Sequence, residues 1–392
     1  MNRILQLNAT ANWGSTGKIA EGIGITAINR GWESYIAYGR YMNPSQSQLI
    51  KVGKTMDVYA HYCMAYLLDR EGFESKKATL NLINQIKTLS PNIIHLHNIH
   101  DHWLNYPILF KYLATISTPI IWTFHDCWAF TGGCTYFDSI ECEKWKIRCN
   151  QCILRKSKID RSLIHYESRK RLIANLGTRL TIVPVSKWIE NYCKESILKD
   201  CNIKLIHNGI DINTFNILSN KDDIPLILGV ALPWSERKGL ADMLELRNLI
   251  PIEKANICLV GLSEKQISNL PDGIIGIRRT QNIEELATLY SRATVFVNPT
   301  HSDNFPTVNL ESLACGTPVI TYRTGGSPEA IDNLTGIVIE KGDVHGLANA
   351  VMNVIDNPTL FKSEDCRNNA KMNFNSDIQF NKYIDLYENL IK

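Results

Sequence analysis

The stretch NPTHSDNFPTVNLESLACGTPVITYRTGGSPE, residues 298–329, reads as a strand end, a loop, a helix and a second strand. The apolar runs at 294–298 and 318–321 predict buried strands, and 308–314 predicts the helix between them. Pro306 suits a first helical turn, and Ser302 or Asp303 suits the N-cap. Free N–H groups at such a helix start favour phosphate oxygens. Asp303 and Glu311 stand eight positions apart, so one loop-to-helix path aims both carboxylates at a single ligand. Carboxylates bind vicinal hydroxyls well, which points to ribose and sugar groups.

Outward from this unit the same alternation continues. Strands are expected at 224–230, 255–261 and 274–277, with a helix at 283–292. Glu236-Arg237-Lys238-Gly239 follows the first of these strands. Arg237 and Lys238 there suit a diphosphate held without metal, the arginine bidentately. In the first half, strands are expected at 3–8, 34–38, 92–97, 119–124 and 180–185, with helices at 19–29 and 78–89. The loop 207–223, rich in Asn, Asp and Ser, is linker-like. This α/β pattern predicts two doubly wound, Rossmann-like parallel-sheet domains facing each other across a cleft, with ligands at strand C-terminal ends. The expected domains are 1–206 and 207–374, and the final amphipathic helix, about 375–392, is expected to pack back onto the first.

Composition agrees with a globular chain: 392 residues, 44% hydrophobic and 21% charged. No apolar run approaches the eighteen or so residues of a membrane span, and the N-terminus lacks a signal-peptide core. A cytoplasmic location is expected. The net charge of +3 hides an asymmetry: residues 1–205 carry +10 and residues 206–392 carry −7. Much of the excess lies between Lys144 and Lys187, including Arg169-Lys170-Arg171. Such a patch suits an anionic membrane surface or a phosphorylated substrate, or is simply a solvated face. No nucleic-acid-binding motif accompanies it, so nucleic acid is not an expected partner.

Two motifs are imperfect. NWGSTGKIA (12–20) ends like a phosphate-binding P-loop, yet Asn12 stands at the leading glycine and Ile19 at the Mg²⁺-binding hydroxyl. What remains is a glycine loop between a first strand and a first helix. HLHNIHDH (95–102) nearly spells a dinuclear metallohydrolase signature, but Ile99 occupies the aspartate position. A strand-end histidine meeting substrate is the simpler reading, and no Asp-x-Asp clamp for a divalent cation occurs anywhere. Of eleven cysteines, Cys134, Cys142, Cys149 and Cys152 have the ligand types of an all-cysteine structural zinc site. Only Cys149-Asn-Gln-Cys152 has knuckle spacing, and the alternative is a set of buried or unpaired thiols.

Taken together, Gly14–Lys18, PNIIHLHN (91–98), FHDCW (124–128), HNGID (207–211) with Phe215, ERKG (236–239), LVG (259–261) and 298–329 resemble the retaining GT-B glycosyltransferases of family 4. The resemblance spans nearly the whole chain. It implies a donor motif of two acids eight apart, here Asp303 and Glu311, the first meeting the sugar and the second the ribose; the family glutamate is shortened to Asp303. It implies that Arg237 and Lys238 grip the donor diphosphate, helped by the helix start at Asn304, Phe305, Pro306 and Thr307. His125 would face the donor sugar, and Asp126 would orient the acceptor. Gly14 and Gly17 would admit a ligand close to the backbone, with Lys18, His97, Asn98 and His100 on the acceptor side.

The implied reaction is metal-independent transfer from a UDP- or GDP-linked sugar, with retention and without a side-chain nucleophile. HDCWAFTGGCTYF (125–137) is similar to a colanic-acid-type subgroup of bacterial capsule, exopolysaccharide and O-antigen pathways. Its acceptors are saccharides or polyprenyl-diphosphate-linked sugars at the inner face of the plasma membrane. Two alternatives stay open: a nucleotide-sugar epimerase of the same architecture, and a non-catalytic sugar-binding relative.

Overall fold

In the computed structural model, which describes residues 1–155 and 157–392, thirteen strands form two all-parallel sheets. Lys156, part of the basic stretch, lies outside the described residues. One unit comprises Met1–His207 with Gln379–Lys392, and the other comprises Asn208–Ile378.

The first unit holds β1 (Arg3–Asn8), β2 (Glu33–Tyr38), β3 (Gln48–Lys51), β4 (Ile93–Leu96), β5 (Ile120–Phe124), β6 (Leu180–Pro184) and β7 (Asn202–Ile203). Their order is β3-β2-β1-β4-β5-β6-β7, so the direction of winding reverses between β1 and β4. Gln6 pairs with His95 across that junction. β4, β5 and β6 are buried throughout, because helices cover both faces of a parallel sheet. Ile4, Ile19, Ile23, Ile93, Ile121 and Val183 form one core cluster with Phe380, Tyr383, Ile384 and Tyr387 of the last helix, Ser376–Leu390.

The second unit holds β8 (Leu226–Val230), β9 (Asn256–Val260), β10 (Ile274–Ile277), β11 (Val295–Asn298), β12 (Val319–Tyr322) and β13 (Gly336–Ile339), ordered β10-β9-β8-β11-β12-β13. Here winding reverses between β8 and β11. In open sheets of this kind, that switch point is where the loops part and a ligand crevice opens. Helix Ile283–Arg292 begins at Asn282, whose Oδ1 accepts the Glu285 N–H at 2.8 Å.

Two local expectations are corrected. The first helix runs Gly14–Asn29, so Gly14, Gly17 and Lys18 are helical, and the loop proper is only 9–13. Asn12 and Gly14 both take left-handed backbone there, with φ of 48° and 66°, so the reversal is shared between an asparagine in the loop and the glycine that opens the helix. Second, Pro306 is the N-cap of helix Thr307–Ala314, which has no side-chain cap, so neither Ser302 nor Asp303 caps it. The Ser302 carbonyl instead accepts from Arg237.

Candidate functional site

In the second unit, two loops leave the neighbouring ends of β8 and β11. The first closes in a tight turn at Glu236–Lys238, and the second runs 299–306 into helix Thr307–Ala314. Backbone bonds tie them: His301 N–H donates to the Arg237 carbonyl at 2.8 Å, and the Thr300 hydroxyl donates to it at 3.2 Å. Arg237 Nη1 donates to the Ser302 carbonyl at 2.6 Å, and Lys238 Nζ pairs with Asp303 Oδ2 at 2.5 Å. Both partners of that pair are largely shielded, at 20% and 15% side-chain exposure. Two cations and one carboxylate are therefore fixed at the switch point.

Two glycines make this fit feasible. Gly239 has φ of +74°, and a Cβ there would lie 2.1 Å from the Pro299 carbonyl oxygen. Gly325 has φ of +51°, and its Cβ would lie 1.7 Å from the Asp303 carbonyl oxygen. Asn304, Phe305 and Pro306 are buried beneath the loop, and Thr307 is partly exposed at the helix start. The first turn leaves N–H donors without intrahelical partners, as helix starts do. Glu311 lies one turn further along. Its Oε2 accepts from the Tyr290 hydroxyl at 3.0 Å, and its Oε1 from the Thr307 hydroxyl at 3.3 Å. Burial and the neighbouring Glu311 push the Tyr290 phenol well above its ordinary range, so it stays a donor. Tyr290 is a positioning group that sequence reasoning missed; only tertiary packing brings it to Glu311.

In the first unit, His97, Asn98, His100, His125 and Asp126 line one small pocket beyond the ends of β4 and β5. His100 Nε2 and Asp126 Oδ2 are 2.8 Å apart, and Trp128 N–H donates to Asp126 Oδ1 at 2.9 Å. Burial opposes charge on both partners. The mutual attraction outweighs it, raising His100 and lowering Asp126. His97 is 1% exposed, with Nδ1 at 3.0 Å from His125 Nε2 and Nε2 at 3.0 Å from Gln6 Oε1. Gln6 also donates its amide to the Ala20 carbonyl at 2.8 Å, which turns its oxygen toward His97. His97 Nε2 must then carry the hydrogen, and His97 Nδ1 accepts from His125 Nε2–H. Burial pushes His125 down to about 4, despite the opposing charge of Asp126, so it is neutral near pH 7. His97 therefore stands behind His125 and fixes its tautomer.

Gly14, Gly17 and Lys18 are absent from that pocket lining. Asn8 is the link: it accepts from the Asn98 N–H at 3.2 Å and donates to Thr16 at 3.3 Å. A Cβ on Gly17 would sit 2.8 Å from Thr10 Oγ1, so this glycine admits the chain's own loop. Lys18 is exposed.

The histidine run does not gather around one centre. Among the described residues, three ligand-type atoms come within 4.8 Å of one another only at His61, Glu71 and His102. These are committed elsewhere. Glu71 Oε1 accepts from the N–H groups of Asp101 and His102, and its other oxygen meets His102 Nδ1. His61 Nε2 accepts the Gly72 N–H at 2.9 Å. Cys134, Cys142, Cys149 and Cys152 line a single pocket elsewhere in the same unit.

Comparison with known proteins matches each half of the chain. Residues 26–214 match the model "Glycosyltransferase Family 4", and residues 225–357 match "Glycosyl transferases group 1". The putative colanic acid biosynthesis glycosyl transferase WcaC of Escherichia coli (strain K12) is 22% identical over 99% of this chain and all of that protein. Among solved structures, sucrose-phosphate synthase from Thermosynechococcus elongatus superposes with a TM-score of 0.75 at 19% identity, covering 100% of this chain and 99% of that one. Anabaena Alr3699/HepE in complex with UDP and glucose gives 0.66 at 14% identity, over 98% and 99% of the two chains.

Proposed function

The chain belongs to the GT-B glycosyltransferases, with a family 4 half and a group 1 half, and from that premise we propose a specific reaction. It moves a sugar, with retention at the anomeric carbon, from a nucleotide-diphosphate sugar to a saccharide or polyprenyl-diphosphate-linked acceptor in bacterial surface polysaccharide synthesis. The observation that carries this reading is the meeting of Arg237, Lys238 and Asp303 at the ends of β8 and β11, with Glu311 on the helix that follows.

Arg237 and Lys238 bind the diphosphate and offset the charge that grows on it as the glycosidic bond breaks. Fixed cations and helix N–H groups do this without reorganisation, which is the most effective electrostatic strategy. Asp303 is short, and its bond to Lys238 sets where that ammonium sits. Glu311, held by Tyr290 and Thr307, presents a carboxylate for the ribose hydroxyls. In the first unit, the neutral His125 offers a hydrogen-bonding imidazole for the sugar, and the His100–Asp126 pair offers an oriented carboxylate for the acceptor hydroxyl. A front-face route, in which the leaving phosphate oxygen takes the acceptor proton, needs no nucleophilic side chain.

A lipid-linked acceptor draws support from the surface between 144 and 171. Lys144, Arg148, Arg155, Lys158, Lys170 and Arg171 are exposed there, interleaved with exposed Ile147 (85%) and Ile153 (75%). Mixed basic and apolar exposure suits an anionic bilayer surface. Arg169 departs from the expected patch: it is buried, at 1% exposure. No helix among the described residues is long and apolar enough to cross a membrane.

The test is a turnover screen of UDP- and GDP-sugars, with and without acceptor extracts, and with anomeric configuration read by NMR on any product. Transfer with retention, unaffected by added Mg²⁺ or Mn²⁺, supports the reading. Turnover without acceptor into an isomerised sugar assigns an epimerase instead, and no turnover of any activated sugar rejects catalysis.

A further inference from the structure

Among its described residues, the segment 131–161 carries only two short helical turns, Phe137–Ile140 and Lys144–Lys146, within some thirty residues. Irregular stretches of this length inside a compact domain are uncommon and call for some other fastening. Cys134, Cys142, Cys149 and Cys152 all lie on it and all line one pocket. Each of the four is within electrostatic reach of the other three. We infer that these four cysteines form a tetrathiolate site for a structural zinc ion, which fastens the 131–161 segment to the first unit.

Two independent features of the surroundings point to a negatively charged centre. Arg169 is buried with its Nε and Nη1 lacking hydrogen-bond partners among the described residues, while Nη2 donates to the Thr131 carbonyl at 2.5 Å. Its guanidinium stacks 4.2 Å from the Trp128 ring centre, and the ionisable groups near enough to act on it are Tyr106, Cys149, Cys134 and Asp69, of which burial keeps the phenol and both thiols protonated in the absence of a metal. A buried cation with an incomplete complement of partners costs several kcal/mol unless an anion offsets it. Four thiolates around Zn²⁺ carry two net negative charges and would supply that anion. The second feature is the set of donors aimed at sulfur. Gly132 N–H donates to Cys149 Sγ at 3.1 Å, and the backbone N–H groups of Leu154 and Arg155 point to Cys152. Trp145, which also lines the pocket, is 1% exposed with its indole N–H unpaired. The Gly132, Leu154 and Arg155 N–H groups are of the kind that orient and stabilise metal-bound thiolates from the outer shell, and the indole N–H is a further buried donor with no protein partner among the described residues.

Soft sulfur ligands in a tetrahedral set select zinc or an iron–sulfur centre, and four cysteines with one C-x2-C knuckle and no open position suit zinc. No three of the sulfurs lie within 4.8 Å of one another. Tetrahedral Zn–S bonds of about 2.3 Å require closer approach than that. Ion binding would therefore draw the segment inward, releasing one proton from each cysteine to solvent as its thiolate bonds the metal, and its free energy would add to folding.

The test is elemental analysis of the full chain purified without chelator, alongside Cys149→Ser/Cys152→Ser, Arg169→Met, His102→Ala and, as a control, Cys63→Ser. Cys63 is exposed and outside the pocket. About one zinc per chain is expected in the wild type and in the Cys63 and His102 variants. Loss to background is expected in the double cysteine variant. Arg169→Met should bind the ion roughly 10- to 100-fold more weakly, as outer-shell losses do. Cobalt reconstitution of the wild type gives a second readout that does not depend on the double variant folding: intense thiolate-to-cobalt absorption supports sulfur ligation. Zinc near zero, an iron centre, a Cys149–Cys152 disulfide, or zinc lost only with His102→Ala would each overturn the assignment.

Discussion

Lys238 Nζ lies 2.5 Å from Asp303 Oδ2, and this contact joins the turn after β8 to the loop after β11. It means the cation and the carboxylate cannot be altered independently. Lys238→Ala should cost about 10²–10³ in turnover, the scale expected when one preorganised transition-state donor is lost. Asp303→Asn should weaken catalysis as well, by releasing the lysine from its place. The double variant should fall well short of the product of the two single losses, and a double-mutant cycle on kcat/KM measures that coupling.

Glu311 and Tyr290 predict a graded pair. Glu311→Ala removes the carboxylate proposed to meet the ribose and takes away the acceptor of a buried phenol, so donor binding should weaken by about 10- to 100-fold, or roughly 1.4–2.7 kcal/mol. Tyr290→Phe keeps the carboxylate and the Thr307 hydroxyl beside it and removes only the phenol donor, so the loss should be about tenfold at most. Calorimetric titration with the nucleoside diphosphate alone checks the order of the two effects.

Gly325→Ala should be severe for its size. The added methyl meets the Asp303 carbonyl oxygen at 1.7 Å, and φ is positive, so the backbone itself must move. We expect a stability loss above about 2 kcal/mol together with weaker donor binding, read by urea unfolding and titration. Gly14→Ala makes the contrast, because its Cβ would meet nothing within 4 Å; its cost should be confined to the strain of φ +66°.

Acid should loosen the first unit through His125. The unfolded chain takes up this proton near 6.5, whereas the folded chain resists until about 4. Stability from this group is therefore full above 6.5 and is lost as pH falls through that window, by about 1–3 kcal/mol. The His100–Asp126 pair has the opposite sense for its imidazole: raised in the fold, it contributes below 6.5 and fades as pH rises through the raised value. Unfolding midpoints from pH 8 to 4, repeated with His125→Asn, check the sign, since the variant should show a shallower acid limb.

Strands of the second unit such as 226–230 and 295–298 were legible because they are largely buried and read as short apolar runs, whereas β13 (Gly336–Ile339), only partly buried at the sheet edge, was not. Helix Ile283–Arg292 was legible at both ends, since Asn282 caps it and acids occupy its first turn. Helix Thr55–Leu68 was not, because Met56, Tyr59, Tyr62, Tyr66 and Leu67 are exposed and blur any apolar stripe. Likewise Asp303, Glu311, Arg237 and Lys238 stand out by spacing and by position after strands. Tyr290, Gln6 and the glycine contact at Gly325 do not, because each acts across a distance in sequence that only the folded sheet closes.

The last helix has a consequence for how this chain is made. Tyr387 hydrogen-bonds His95 at 2.7 Å, Tyr383 bonds Thr123, and Ile384 packs with Ile4 and Ile93. The sheet that emerges first from the ribosome thus waits, with part of one apolar face bare, until residues after 378 have been synthesised. Domains ordinarily fold in order of emergence; here the second unit can be complete while the first is still open. A nascent chain stalled before Gln379 should bind chaperones through that bare face, and full-length release should end the dependence.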